Sequence, residues 1–172
     1  MTHIEPTGAP PWEVYSPGGL LELMAGNQDA AKFITDIAAV SHIYDDLVDA
    51  DKPVPPAAAH DLVWRLLFEI PVNPFFCTHQ AALRPVLITS ILNWRAANDM
   101  ERGAVIEELR ISHVTRYALA DVVLICMLLA GGKDHAERNA RRARLMGQND
   151  TWANYRSEHF PKENMNADTH KV

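Results

Sequence analysis

The residues most able to do chemistry stand together in the string Tyr44-Asp45-Asp46-Leu47-Val48-Asp49-Ala50-Asp51. On a helix Asp45 and Asp49 are one turn apart, Asp46 lies nearly beneath Asp49, and His42 sits a turn earlier on the same side. The acids follow an apolar run and so crowd the C-terminal end of their helix. There each anion meets partial negative charge at a cost of roughly 0.3 to 1 kcal/mol, and like charges four residues apart repel by a few tenths more. Something positive must compensate. Hard oxygen ligands on one helix face suit Mg²⁺, which takes few carboxylates, keeps waters and completes its octahedron with phosphate oxygens. A plainer compensation is a solvated helix end, or pairing with Arg138, Arg141, Arg142 and Arg144. The sequence leaves both open.

A second set of residues lies downstream. Asp121 interrupts Tyr117-Ala118-Leu119-Ala120-Asp121-Val122-Val123-Leu124, and a carboxylate in such company must be paired, metal-bound or protonated, because an unpaired buried charge costs several kcal/mol. His113, Tyr117 and Asp121 succeed one another at four-residue intervals, with Glu107 and Arg110 near that face. Asp121 is therefore expected either to pair with a neighbouring arginine or to join Asp45 and Asp49 as a ligand. In the second case Arg110 or Arg116 grips phosphate oxygens through its guanidinium fork, beside Tyr117. Asp150, Asn154 and Glu158 repeat the four-residue step. His79, His135, His159 and His170 make no ligand spacing and read as surface or capping residues.

Proline and glycine punctuation divides the supporting frame into about six helical segments, with no run alternating at a period of two. Residues 20–26 predict a short helix, and Asn27 or Asp29 caps a long one over 29–51. Prolines open a helix over 57–70 and close it at Pro71. Pro85 starts or kinks a helix through 86–98. The stretch 101–130 predicts the longest helix, ended by Gly131 and Gly132. Asp134 opens a helix to Gly147, and 151–160 make the last. Trp64, Trp94 and Trp152 are expected in the core. The fold class is all-α, a compact single-domain bundle over 18–160, with an irregular segment over 1–17 and a mobile polar tail over 161–172.

Composition bounds the partners. A chain of 172 residues has one domain's length and buries a sufficient core unaided. Its net charge of −6 argues against a surface that coats nucleic acid, which relies on clustered Lys and Arg. The N-terminus lacks the basic and apolar regions of a secretory signal. The longest apolar stretch, 117–132, is broken by Asp121 and falls short of the roughly 20 residues of a membrane span. Cys77 and Cys126 make no ligand spacing and read as buried thiols in a reducing cytoplasm. A soluble cytoplasmic location is the expectation.

Asp45, Asp46 and Asp49, a DDxxD at the end of an apolar helix, resemble the first aspartate-rich motif of class I isoprenoid (terpene and prenyl) synthases. Asp150, Asn154 and Glu158 resemble the second metal motif of terpene synthases, with Asn154 at the hydroxyl position. The resemblance implies Mg²⁺ held by these acids, clamping a substrate diphosphate. Ala118 to Leu124 is similar to the second ExxD helix of MazG-like and dimeric dUTPase-like nucleotide pyrophosphohydrolases, with Ala118 where a Glu stands. His42, His60-Asp61 and Asp121 follow the order of HD phosphohydrolases. The strings 43–54, 73–76 and Asn93-Trp94 resemble uncharacterised small proteins of tailed phages. The leading expectation is a Mg²⁺-dependent enzyme acting on a diphosphate-containing small molecule. The competing one is a non-enzymatic, phage-encoded helical binding protein whose acidic face docks a basic protein. A homodimer is open in either case.

Overall fold

The computed structural model describes residues 17–50, 53–103, 105–148 and 150–160. The expectations for 1–16, Asp51 and 161–172 lie outside these residues. Among the described residues every regular element is helical: α1 (Pro17–Leu23), α2 (Gln28–Asp49), α3 (Pro56–Trp64), α4 (Pro74–Gly103), α5 (Ile106–Thr115), α6 (Leu119–Gly147) and α7 (Trp152–His159). A π-turn over Arg65–Glu69 prolongs α3. The all-α class holds, with more segments than the sequence suggests.

α2 begins where its cap predicts, since Asn27 Oδ1 accepts the backbone N–H of Ala30 at 2.9 Å and satisfies a first-turn donor. Phe33 and Ile34 of α2 meet Leu23 and Met24 from α1 and its turn, Phe75 and Leu83 of α4, and Val122, Val123, Cys126 and Met127 of α6 in one core. Each large apolar side chain so buried contributes about 1.5–3 kcal/mol. Leu109 of α5, Tyr155 of α7 and Phe160 make a smaller second core. Trp64 is exposed rather than buried, and of the two cysteines Cys126 is buried while Cys77 is exposed.

The expected helix over 101–130 is broken twice. Val105 is extended, and residues 116–118 form a turn closed by short-range bonds from Ala120 N–H to Tyr117 O and from Asp121 N–H to Ala118 O. A straight helix of that length would span about 44 Å; the breaks fold α5 back along α4 instead. α4 becomes the longest element and runs through Pro85. α6 is a hairpin rather than a rod. Gly132 has φ 76° and ψ 176°, and Asp121 pairs with Arg144, a residue that a straight helix would place about 35 Å away. Arg144 therefore answers Asp121, and Arg142 of the same arm bonds Glu22 at 2.8 Å.

α3 is held to α2 by charge. Asp36, 1% exposed in α2, accepts from Lys32 at 2.8 Å and from Arg65 at 2.6 Å. Arg65 also bonds Asp61 at 2.7 Å, and Lys32 bonds Glu69 at 3.0 Å. A buried carboxylate so surrounded is satisfied, whereas one stripped of its cations would not be. One 18-residue window between Ile106 and His159 is apolar enough to cross a membrane by length and composition alone, against the expectation that the stretch over 117–132, interrupted by Asp121, falls short of a span. Its Val122, Val123, Cys126 and Met127 are core residues here.

Two backbone positions give a test. Ala50 at the end of α2 has φ 52°, a left-handed conformation that favours glycine. Chemical denaturation should show Ala50→Gly more stable by about 0.5–1 kcal/mol. Gly132→Ala should be less stable by about 1–3 kcal/mol, although a Cβ there meets nothing within 4 Å.

Candidate functional site

The last two turns of α2 lie against α4. The Trp94 indole N–H donates to Asp45 Oδ1 at 2.7 Å, and one turn on, the Asn98 amide donates to Asp49 Oδ1 at 3.4 Å. Both pairs are separated by 49 residues, so the two helices run in the same direction here. Tyr44 packs on the Trp94 ring at 5.2 Å. Neutral donors orient a carboxylate without cancelling its charge, and the α2 dipole adds to that charge. Asn98 is 7% exposed, and its Oδ1 has no hydrogen-bond partner.

Opposite these acids stand Arg116, Tyr117 and Ala120 of the α5–α6 turn, Asp150 after α6, and Tyr155, Glu158 and His159 of α7. With Glu101 of α4 they enclose an open hollow of about 410 Å³. Its floor is a buried polar knot. The Tyr155 hydroxyl and an Arg116 N–H both donate to Glu101 Oε1, and Ser112 Oγ, 3.1 Å from the carbonyl of Ala97, bonds the same tyrosine hydroxyl. His113 anchors α7 from behind: its ring lies 4.8 Å from Tyr155 and 5.7 Å from Trp152, and its Nε2 is 3.2 Å from the carbonyl of Asp150.

Burial is the largest single influence on Arg116 and opposes its charge, but Glu101, Tyr155 and Asp45 together outweigh it and hold Arg116 above its ordinary value. Burial, aided by the charge of Asp150, pushes the Tyr117 phenol up to about 12. Tyr155 likewise rises to about 12, by burial and then by its bond to Glu101. Both phenols are therefore protonated donors throughout the neutral range.

Of the ten candidate metal and substrate ligands, Asp45, Asp49, Arg116, Tyr117, Asp150 and Glu158 line this one hollow, and His42 and His159 line it with them. Four do not. Asp46 turns aside to His42, whose Nε2 is 3.5 Å away. Arg110 is exposed and bonds Glu107 at 2.8 Å. Asn154 is exposed and serves the start of α7, its N–H donating to Thr151 Oγ1. Asp121 faces a neighbouring hollow of about 530 Å³, paired with Arg144. The break at 116–118 accounts for that separation, since His113, Tyr117 and Asp121 no longer share a helix face. His60 and Asp61 face elsewhere, Asp61 bonding Arg65. Glu101, Asn98, Ser112 and Tyr155 escaped the sequence reading; Trp94 and Asn98 do repeat the four-residue step of Asp45 and Asp49.

Comparison with protein-family models, curated proteins and solved structures gives no match.

Raised folded-state phenol values mean that stability is complete below the ordinary tyrosine value near 10 and is lost as pH rises from there through about 12. Melting temperature should fall over that interval, and Tyr117→Phe should lessen the fall. A loss of equal steepness in the variant would contradict the assignment. Trp94→Phe, which removes the donor to Asp45, should lower stability by about 1.5–3 kcal/mol in urea unfolding.

Proposed function

We propose that the hollow binds a diphosphate-containing small molecule as its Mg²⁺ complex, and that the chain is a cytoplasmic enzyme acting on that diphosphate. The supporting observation is that Asp45 and Asp49, which lie far from Asp150 and Glu158 in sequence, line the same cavity with them, together with Arg116 and Tyr117. Among the described residues no three His, Cys, Asp or Glu side chains stand close enough to hold a metal ion by themselves. The donor set thus fits a cation that arrives with its phosphate ligand, since Mg²⁺ uses one or two carboxylates and fills its shell with water and phosphate oxygens.

In this reading Asp45 and Asp49 would hold the cation from the α2 side, and Asp150 and Glu158 would face its waters from the α7 side. When bound, Mg²⁺ supplies neutralisation of the charge that develops on a leaving diphosphate. Arg116 exchanges part of its contact with Glu101 for a phosphate oxygen, which its planar fork suits. The protonated hydroxyl of Tyr117 donates to another. The buried bonds of Glu101, Tyr155 and Ser112 keep the floor in place while this happens.

A second reading rests on the openness of the same hollow. Asp49 and Glu158 are exposed at its rim, where a lysine or arginine of a basic protein partner would reach them. The pyrophosphohydrolase likeness draws less support, because Ala118 is buried and brings no carboxylate.

Calorimetry separates the two main readings. Mg²⁺ alone should give little heat, and Mg²⁺ with pyrophosphate should give saturable binding. At 100-fold excess over the Kd the complex should stabilise the fold by about 2.7 kcal/mol, a Tm rise of roughly 5–10 °C. Asp45→Asn with Asp49→Asn should abolish both signals. Absence of heat from the wild-type chain under either condition would remove the diphosphate reading. Salt-sensitive binding of oligolysine in its place would select the docking reading.

A further inference from the structure

Helix α3 is amphipathic in the inverted sense. Its charged side, Asp61, Arg65 and, on the π-turn, Glu69, faces α2 and is bonded there to Asp36 and Lys32. Its apolar side faces solvent: Val63, Trp64, Leu66, Leu67 and Phe68 expose 47 to 61% of their surface. No residue of α3 or the π-turn is buried. His60, Val63, Trp64, Leu67 and Phe68 follow the i, i+3, i+4, i+7, i+8 spacing of a helix face that normally packs on something. Their rings form a ladder, His60 on Trp64 at 6.2 Å and Trp64 on Phe68 at 4.8 Å.

We propose that this stripe is a self-association surface, covered by the same stripe of a second copy of the chain about a two-fold axis. The proposal does not depend on what the hollow binds. Area favours it first. Aromatic side chains cover about 150–250 Å² when fully buried, so Trp64 and Phe68, half exposed, offer on the order of 200 Å² per chain, and with the smaller Val63 and Leu67 the stripe offers at most ~450 Å². Two copies face to face bury at most ~900 Å², which lies below the ~1,200 Å² at which stable interfaces begin and matches a weak, concentration-dependent dimer.

Charge favours it next. The stripe carries no carboxylate of its own, and Asp61 at its edge is already bonded to Arg65 at 2.7 Å, so a basic partner finds no unanswered anion there. Anionic lipid is equally unsuited, because the chain has a net charge of −6 and the helix lacks the basic flanks of membrane-surface helices. An apolar, nearly uncharged stripe is complementary to itself, which an isologous two-fold contact requires.

Sedimentation velocity over the micromolar range should show the full chain passing from its 19.2 kDa to twice that mass. Trp64→Glu and Leu67→Glu should each weaken the dimer on the order of 100-fold, since every dimer buries the new charge twice. Ile88→Glu, at a 58% exposed position of α4, should leave it unchanged. Trp64→Ala gives a milder variant, and circular dichroism melts at low concentration report whether each variant folds. A wild-type chain that remains at the mass of one copy throughout overturns the proposal. So does a dimer that survives both stripe variants but dissolves with Ile88→Glu, or binding of anionic vesicles by the single copy through Trp64.

Discussion

The α2–α4 contact bears the strain that the rest of the site exploits. Three carboxylates at the negative pole of a helix repel the helix and one another. Trp94 and Asn98 of α4 hold two of them, Asp45 and Asp49, by hydrogen bonds one turn apart. Those donors are neutral and fix the two acids in direction, while Asp46 pairs with His42. α4 also supports α5 and α6, and through Glu101 it reaches Arg116 and Tyr155. One long helix therefore sets both walls and floor of the hollow.

Charge is used in two opposite ways in this fold. Around Asp36 the cations Lys32 and Arg65 complete the carboxylate, and the network serves as an attachment between α2 and α3. Arg116, which lines the hollow with Asp45 and Asp49, is engaged by Glu101. The first arrangement is closed and structural. The second gathers five carboxylates and one guanidinium around an open cavity, which is the ground for the proposal that a cation is received there.

Much of the fold was legible in local chemistry. Asn27 announced α2, the prolines at 53–56 and 71–74 framed α3 and its π-turn, and the paired glycines at 131–132 marked the end of an arm that the hairpin confirms. Helical spacing also gave the core residues Phe33 and Ile34. The break at 116–118 was not legible, because Arg116-Tyr117-Ala118 contains no helix breaker; the turn is imposed by the distant partners Glu101 and Tyr155. Of the two expectations for Asp121, pairing with an arginine holds, with Arg144, and joining Asp45 and Asp49 does not, because of that break. Trp64 was expected inside because it lies in an apolar run, and it is outside because α3 turns its ionic side inward. That Asp150 and Glu158 face Asp45 and Asp49 was one of two expectations and came from the likeness of both strings to the synthase motifs, whereas Asn98, Ser112 and Tyr155 acquire their roles only from contacts made across the chain.

The hairpin of α6 has a mechanical corollary. Leu119 and Ala120 at its start, and Gly147 at its end, all border the cavity of Asp45, while its bend, Gly132, lies at the opposite tip. Each arm is about 20 Å long, so the element has the proportions of a pair of tweezers gripped at the hinge. A pivot of ~3° at one glycine translates into ~1 Å at the jaws over that length, and any molecule that spreads or draws together those jaws must be registered, in reduced amplitude, at a surface far from where it sits.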